Sequence, residues 1–177
     1  MNTITLEQIL TFLLEAPMFA ELDVTELSEI VHIMQVQKVR AGTAVFREGD
    51  AGDAWYVIFA GSAEVLKGNE FLPSQRLCVL GERACFGEMA ILDHSSRSAS
   101  VVALTECTVF RFPRRDFERL LADGNLAAYK LIYQMAKVLC SRQRKITQDL
   151  TEALAARETE LLRVASMGVV QGQSVSE

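Results

Sequence analysis

The chain has 177 residues, half of them hydrophobic, and a formal net charge of −5. That is enough for one domain with a sizeable core and roughly 30 residues over, and the negative balance repels nucleic acid rather than attracting it. Cys78, Cys85, Cys107 and Cys140 form no C-x-x-C pair and His32 and His94 stand far apart, so spacing suggests neither a disulfide framework nor a metal site. Leu6, Ile9, Leu10, Leu13 and Leu14 recur at helical spacing until Pro17 breaks the pattern, which predicts a first helix. Asp23 followed by Glu26 reads as a capping box opening a second helix, with Leu27, Ile30, Val31 and Met34 on one face. From about Gln35 to Pro113 the pattern changes to short β-branched and aromatic runs: Trp55 to Phe59, Ala63 to Leu66, Arg76 to Leu80, Ala99 to Leu104 and Thr108 to Phe112. Gly49, Gly52 and Gly61 stand between such runs where turns need positive φ. Many short strands with these turns indicate an α+β protein built on a sandwich or jelly roll.

From Asn125 to Ser166 there is no Gly or Pro, and Leu126, Leu131, Met135, Leu139, Ile146, Leu150, Leu154, Leu161 and Ala165 mark a long helix. At 1.5 Å per residue such a helix is on the order of 60 Å long, more than one small domain needs. Its mixed spacings of three, four and seven suit a helix–helix seam, most simply a homodimer. Residues 167–177, rich in Gly, Ser and Gln, read as a disordered tail. The longest apolar run, Ile9 to Leu14, falls far short of the roughly 20 residues a membrane span needs. No basic leader precedes it, so a cytoplasmic protein without a membrane partner is expected.

Residues 86–103, FGEMAILDHSSRSASVVA, concentrate the chemistry. A flexible turn at Phe86-Gly87 leads to a carboxylate, Glu88, then to the apolar Met89-Ala90-Ile91-Leu92, and Arg97 stands nine positions after Glu88. A cyclic phosphodiester joined to a ribose needs this pair. An Arg fork meets the two exocyclic oxygens with charge-assisted bonds of roughly 1.5–3 kcal/mol each, and a carboxylate accepts from a sugar 2′-OH. A helical turn over Glu88 to Leu92 would turn its N–H groups toward the anion, and Ser98 adds a hydroxyl beside Arg97.

The segment resembles the phosphate-binding cassette of cyclic-nucleotide-binding domains, the ligand module of the bacterial catabolite activator and of kinase regulatory subunits. PMFAEL (17–22) and AGTAVFREGDAGDAWYVIFAGSAEVL (41–66) are similar to that family's framework, with Gly42, Glu48, Gly49, Asp50, Asp53, Tyr56, Ile58 and Gly61 in place, so the resemblance runs over residues 15–145. It implies N-terminal helices over 1–34, a binding β-roll over 35–113, and a lid and dimerisation helix over 114–166 ahead of the tail. It also implies cAMP or cGMP as ligand, with no metal. The ligand would be held by Phe86, Gly87, Glu88, Met89, Ala90, Arg97, Ser98 and Ala99. Val65, Leu77 and Cys78 match positions that line the ribose and base. In register with the catabolite activator, Val138, Arg142 and Gln143 fall where the long helix meets the base. Arg142 would stack on a purine or bond a guanine edge, and Gln143 would serve either purine. Bacterial frequency favours cAMP, and a cyclic dinucleotide is a further alternative.

The chain departs from the family at Arg83, where a Gly is common, and at Ser96, where many relatives carry Pro. An Arg at positive φ would be strained, and Ser96 should loosen the loop before Arg97. Transcription factors of this family append a helix-turn-helix of roughly 60–80 residues, for which no room is expected here. Phosphate loops of kinases and paired cupin histidines are absent too. The expectation is a non-enzymatic sensor that works through an unidentified effector protein, or a ligand-free interaction module on the same scaffold.

Overall fold

The computed structural model describes residues 4–69 and 72–170, and the chain divides into two compact units, Met1–Met135 and Ala136–Glu177.

In the first unit, α1 (Leu6–Leu14) starts at Thr5, whose Oγ1 accepts from the Gln8 N–H at 3.2 Å while Gln8 Oε1 accepts from the Thr5 N–H at 2.9 Å. α2 (Val24–Val31) starts the same way at Asp23 and Glu26, with bonds of 2.9 and 3.0 Å. Each reciprocal box satisfies two N–H groups that a helix start leaves orphaned. Between them Pro17–Phe19 makes a single 3₁₀ turn that buries Met18 and Phe19. α2 stops at Val31, so Met34 stands in the following turn rather than on the helical face.

Among the described residues eight strands follow: β1 (Gln35–Val39), β2 (Ala44–Phe46), β3 (Ala54–Ala60), β4 (Ala63–Asn69), β5 (Leu72–Leu80), β6 (Cys85–Phe86), β7 (Ser100–Ala103) and β8 (Cys107–Pro113). They form two four-stranded antiparallel sheets, ordered β1-β8-β3-β6 and β2-β7-β4-β5. This is an α+β architecture. β3 explains how the layers stack. Its sequence AWYVIFA is apolar throughout, as a strand covered on both faces requires. Ala54, Tyr56 and Ile58 join Val39, Phe86, Val101 and Val109 in one buried cluster. The alternate residues face the helices: Trp55, stacked on its β8 neighbour Phe112 with centroids 4.1 Å apart, meets Phe117 edge-on, and Phe59 meets Phe12 of α1 at 4.8 Å. Alternation along a strand sends successive side chains to opposite faces.

α4 (Arg114–Ala122) buries Phe117 and ends at Gly124, whose φ of +76° a residue with Cβ adopts poorly. Asn125 then opens α5 (Leu126–Val170), its Oδ1 accepting from the Ala128 N–H at 2.9 Å. In the first unit α5 buries Ala127, Ala128, Leu131 and Met135. In the second, every residue from Cys140 to Arg163 is exposed. The helix continues through Val170, so the tail expected from residue 167 instead starts inside it; nothing in Met167-Gly168-Val169-Val170 breaks a helix as Pro would. The remainder of that tail, 171–177, lies outside the described residues. Among the described residues no helix is long and apolar enough to cross a membrane.

Candidate functional site

The cassette closes on Arg97, whose side chain is only 1% exposed. A buried guanidinium needs partners for its donors. Nη1 donates to the Gly87 carbonyl at 3.0 Å, and Nη2 donates to the Ala54 carbonyl at 2.7 Å and to Asp53 Oδ1 at 3.1 Å. The plane lies over the Phe46 ring, 4.1 Å from its centroid, with Tyr56 at 5.7 Å. Its Nε–H is buried with no acceptor, and such a donor ordinarily costs about 1–3 kcal/mol. The backbone around it is pinned: the Arg97 N–H donates to Asp50 O at 2.8 Å, and its carbonyl accepts from the Gly49 N–H at 2.9 Å. Ser96 bridges to Ala51 as an isolated antiparallel pair. The loosening expected from Ser96 is therefore offset by the clasp between residues 49–51 and 96–97.

Two glycines make the approach possible. Gly87 has φ +79°, and a Cβ there would sit 2.8 Å from Arg97 Nη1. Gly52, expected to supply a positive φ, instead supplies space: its Cβ would stand 2.2 Å from the Ala90 Cβ. Only a residue without Cβ lets the β2–β3 turn touch the helical turn α3 (Met89–Asp93). Glu88 is the N-cap of α3, in helical conformation and 2% exposed, and its carbonyl accepts from the Ile91 and Leu92 N–H groups at 3.0 and 3.2 Å. Burying a carboxylate this deeply is costly unless it is paired or hydrogen-bonded. α3 ends at His94 in the left-handed region, φ +59°. Asp93 holds that turn by accepting from the Ser95 Oγ at 2.7 Å and N–H at 3.0 Å, and these bonds, the hydroxyl first, keep its carboxyl below its ordinary value.

The fold brings together most of the residues that sequence singled out. Phe86, Ala90 and Arg97 are buried, Ala99 is half-buried, and the exposed Ser98 hydroxyl points at Met89 Sδ from 3.8 Å. Val65 of β4 is half-buried opposite Cys78 of β5, while Cys78 and Leu77 are exposed. Arg142 and Gln143 belong to the Ala136–Glu177 unit, where both are exposed. Sequence reasoning placed Asp53 in the family framework but not at the site, where it links Arg97 to Arg111 through Oδ1 at 3.1 Å and Oδ2 at 2.7 Å. Burial works against the Arg111 charge, but bonds to Asp53 and Tyr56 outweigh it and raise its pKa. The signal was present, because Asp53 belongs to the E-G-D-x-x-D run, but 44 residues separate it from its partner.

A second cluster supports the strand that follows Arg97. Lys67 Nζ donates to Glu48 Oε1 and to the Ser98 carbonyl, both at 2.6 Å, while the Glu48 N–H donates to Ser100 Oγ at 2.9 Å. The Lys67 bond holds the Glu48 carboxyl below its ordinary value. Arg83 does adopt positive φ, +65°. Its side chain compensates by pairing with Glu15, the C-cap of α1, and lying over the Phe12 ring at 5.1 Å.

The two-sheet α+β domain thus holds a buried Glu88 and a buried Arg97 around a glycine-opened turn. Residues 36–123 match the family described as the cyclic nucleotide-binding domain, and the chain carries a domain of that family. It is 38% identical over 110 residues to a cAMP-dependent protein kinase regulatory subunit of Yarrowia lipolytica, a match covering 62% of this chain and 28% of the subunit. Among solved structures, the catabolite activator protein of Thermus thermophilus is similar at 27% identity with TM-score 0.68, covering 76% of this chain and 61% of that one. The regulatory domain of Toxoplasma gondii protein kinase A, solved with cAMP, is similar at 28% identity with TM-score 0.60, covering 67% and 45%. These relatives are regulatory or binding proteins. The chain spans under a third of the Yarrowia subunit's length. Among the described residues no cluster suited to a metal ion occurs.

Proposed function

We propose that the chain is a cyclic-mononucleotide sensor, with cAMP as the favoured ligand and cGMP the competitor, acting without enzymatic chemistry of its own. In this reading the two sheets are the faces of a jelly roll with the ligand against one of them. The carrying observation is Arg97: a buried guanidinium, braced on carbonyls and on Asp53, with its Nε–H still lacking an acceptor, in the same cassette as the buried Glu88. An anionic phosphodiester supplies that acceptor, and Glu88 accepts from the ribose 2′-OH. Phe86, Gly87, Met89, Ala90, Ser98 and Ala99 shape the cassette around the ring phosphate, and Val65, Leu77 and Cys78 meet the ribose and base. The relatives that support cAMP are the kinase regulatory subunits and the Toxoplasma domain solved with it.

Transmission follows by population shift. Ligand contacts at Arg97 and Glu88 favour one cassette state, and α5, carrying Arg142 and Gln143, reports it to a second copy or to an effector protein in the cytoplasm. Such a shift is bounded by the ligand's differential affinity for the two states. Calorimetric titration with cAMP, cGMP and cyclic di-GMP tests the reading. A Kd near or below micromolar for one mononucleotide, about −8 kcal/mol, is expected. Arg97→Ala should weaken it by at least about 1.5–3 kcal/mol, the worth of the one charge-assisted bond that the free N–H would make. Wild-type affinity retained in the folded variant sinks the phosphate assignment, and no heat from any ligand leaves the scaffold reading in its place.

A further inference from the structure

Arg97 is braced by a carboxylate that it has to share. Asp53 Oδ1 accepts from Arg97 Nη2 at 3.1 Å, while Asp53 Oδ2 accepts from Arg111 Nη2 at the shorter 2.7 Å. The Asp53 side chain is 62% exposed, so the two cations, and not close packing, set its orientation. Arg111 is held more firmly, with a side chain only 22% exposed. It stands on β8 directly opposite Gln35 of β1 and Tyr56 of β3, and residues opposite one another share a face of the sheet. Its Nη1 donates to Gln35 Oε1 at 2.9 Å, and it bonds Tyr56 as well.

This division of Asp53 acts on Arg97 in two ways. A carboxylate that faces one guanidinium alone commonly takes it with both oxygens, in two parallel N–H···O bonds. On the Nη2 side that fork uses the Nε–H, which here is buried without an acceptor. Arg111 occupies the second oxygen that the fork requires, so the Nε–H stays open. The charge balance changes too. Arg97 and Asp53 by themselves are a neutral pair, with little net attraction for an anion. With Arg111 bonded to the same carboxylate, the three groups keep one net positive charge.

We infer that Arg111 is a positioning residue for the anion: acting through Asp53, it draws one carboxylate oxygen away from Arg97 and so keeps the Arg97 Nε–H and a positive charge available to a phosphodiester. The inference rests on the phosphate assignment proposed above and adds to it the device that stops the cassette from satisfying its own guanidinium. Because Arg111 acts on the phosphate end of the ligand and not on the base, it raises the affinity for cAMP and for cGMP by the same factor.

The test is calorimetric titration of the full chain with cAMP and with cGMP, for wild type, Arg111→Met and Arg111→Lys. Beside it, proton–nitrogen NMR follows the Arg97 Nε–H, assigned by its loss in Arg97→Lys, and denaturant unfolding checks that each variant is folded. Arg111→Met should weaken both nucleotides equally, by about three- to tenfold, the order of one partly screened charge near a phosphate. Arg111→Lys should recover most of that loss, since it returns the charge. In Arg111→Met without nucleotide the Arg97 Nε–H should move downfield as Asp53 takes it into a fork. If Arg111→Met does not fold, Arg111→Gln carries the same expectations. Wild-type affinity in the folded variant, beside a wild type that binds, overturns this inference alone. A loss that lysine does not recover, with the Nε–H unmoved, makes Arg111 merely structural and overturns it as well. A wild type that binds neither nucleotide sinks the phosphate assignment itself, and this inference with it.

Discussion

The cassette and the distal part of α5 treat charge in opposite ways. Arg97 and Glu88 are 3% and 2% exposed, and the guanidinium is held on two carbonyls and an aspartate inside a core of rings. Beyond Cys140 the helix exposes charged and apolar residues alike, with Leu150 and Leu154 each 57% accessible. A buried ion costs several kcal/mol unless its geometry is excellent, so the cassette is a place where stability has been spent on a poised donor set. The distal helix carries little intrinsic packing, and isolated helices draw most of their stability from a packed face. What it contributes must come from what it meets.

That contrast is broken most severely in the core. Trp55 is fully buried, stacked on Phe112 and met by Phe19 and Phe117. Trp55→Ala should cost about 3–5 kcal/mol by denaturant unfolding, the ordinary range for an aromatic cavity. The matching change on the distal helix, Leu154→Ala, should alter the unfolding of the first unit by less than about 0.5 kcal/mol, as exposed positions do. Equal losses at both sites would show that the distal leucines are core after all.

Much of this organisation was legible in the sequence, for reasons that differ from element to element. Capping boxes are local, so Asp23 and Glu26 gave away α2. β3 and β8 were readable because covered strands concentrate aromatic and β-branched residues. β1 (QVQKV) and the two-residue β6 were not, because partners supplied from far along the chain define them: β1 pairs with β8, and Cys85 and Phe86 with Val57 and Tyr56. Glu88 and Arg97 stood out by residue type and spacing. Asp53 did not, since its role depends on Arg97 and Arg111 arriving at its two oxygens in three dimensions. Gly52 was read as a turn former because a sequence cannot display the Ala90 methyl group that excludes a Cβ there.

A milder way to sharpen the comparison is acid. Glu26 and Glu48 are both held below their ordinary value of 4.5, chiefly by bonds to Lys130 and Lys67. A carboxyl whose folded pKa is depressed stabilises the fold above its unfolded pKa, and that contribution is lost as pH falls through the folded value. Thermal unfolding of the first unit should therefore hold steady near neutrality and decline as pH drops below 4.5, with Lys67→Met flattening part of the decline. A melting temperature unchanged between pH 5 and pH 3 would mean that these pairs are screened to insignificance.

The smallest effect is expected at Arg83, where the chain keeps a side chain at φ +65°. Left-handed backbone at such a residue costs on the order of 1 kcal/mol, which glycine would recover. Arg83 offsets that cost through its pair with Glu15 and its position over Phe12, two contacts that tie α1 to the turn leading into Cys85-Phe86-Gly87. An exposed ion pair is worth about 0–1 kcal/mol and an exposed cation–π contact about 0.5–1. The opposing effects nearly cancel, so Arg83→Gly should leave unfolding free energy within about 1 kcal/mol of wild type. The tether itself is what disappears. Amide exchange over α1 should quicken in the glycine variant while exchange in β3 and β8 stays as it was, because local opening is set by the contacts of the element that opens. Unchanged protection of α1 would place its anchorage wholly in Ile9, Phe12 and Leu13, and would leave the positive φ at Arg83 without a structural return.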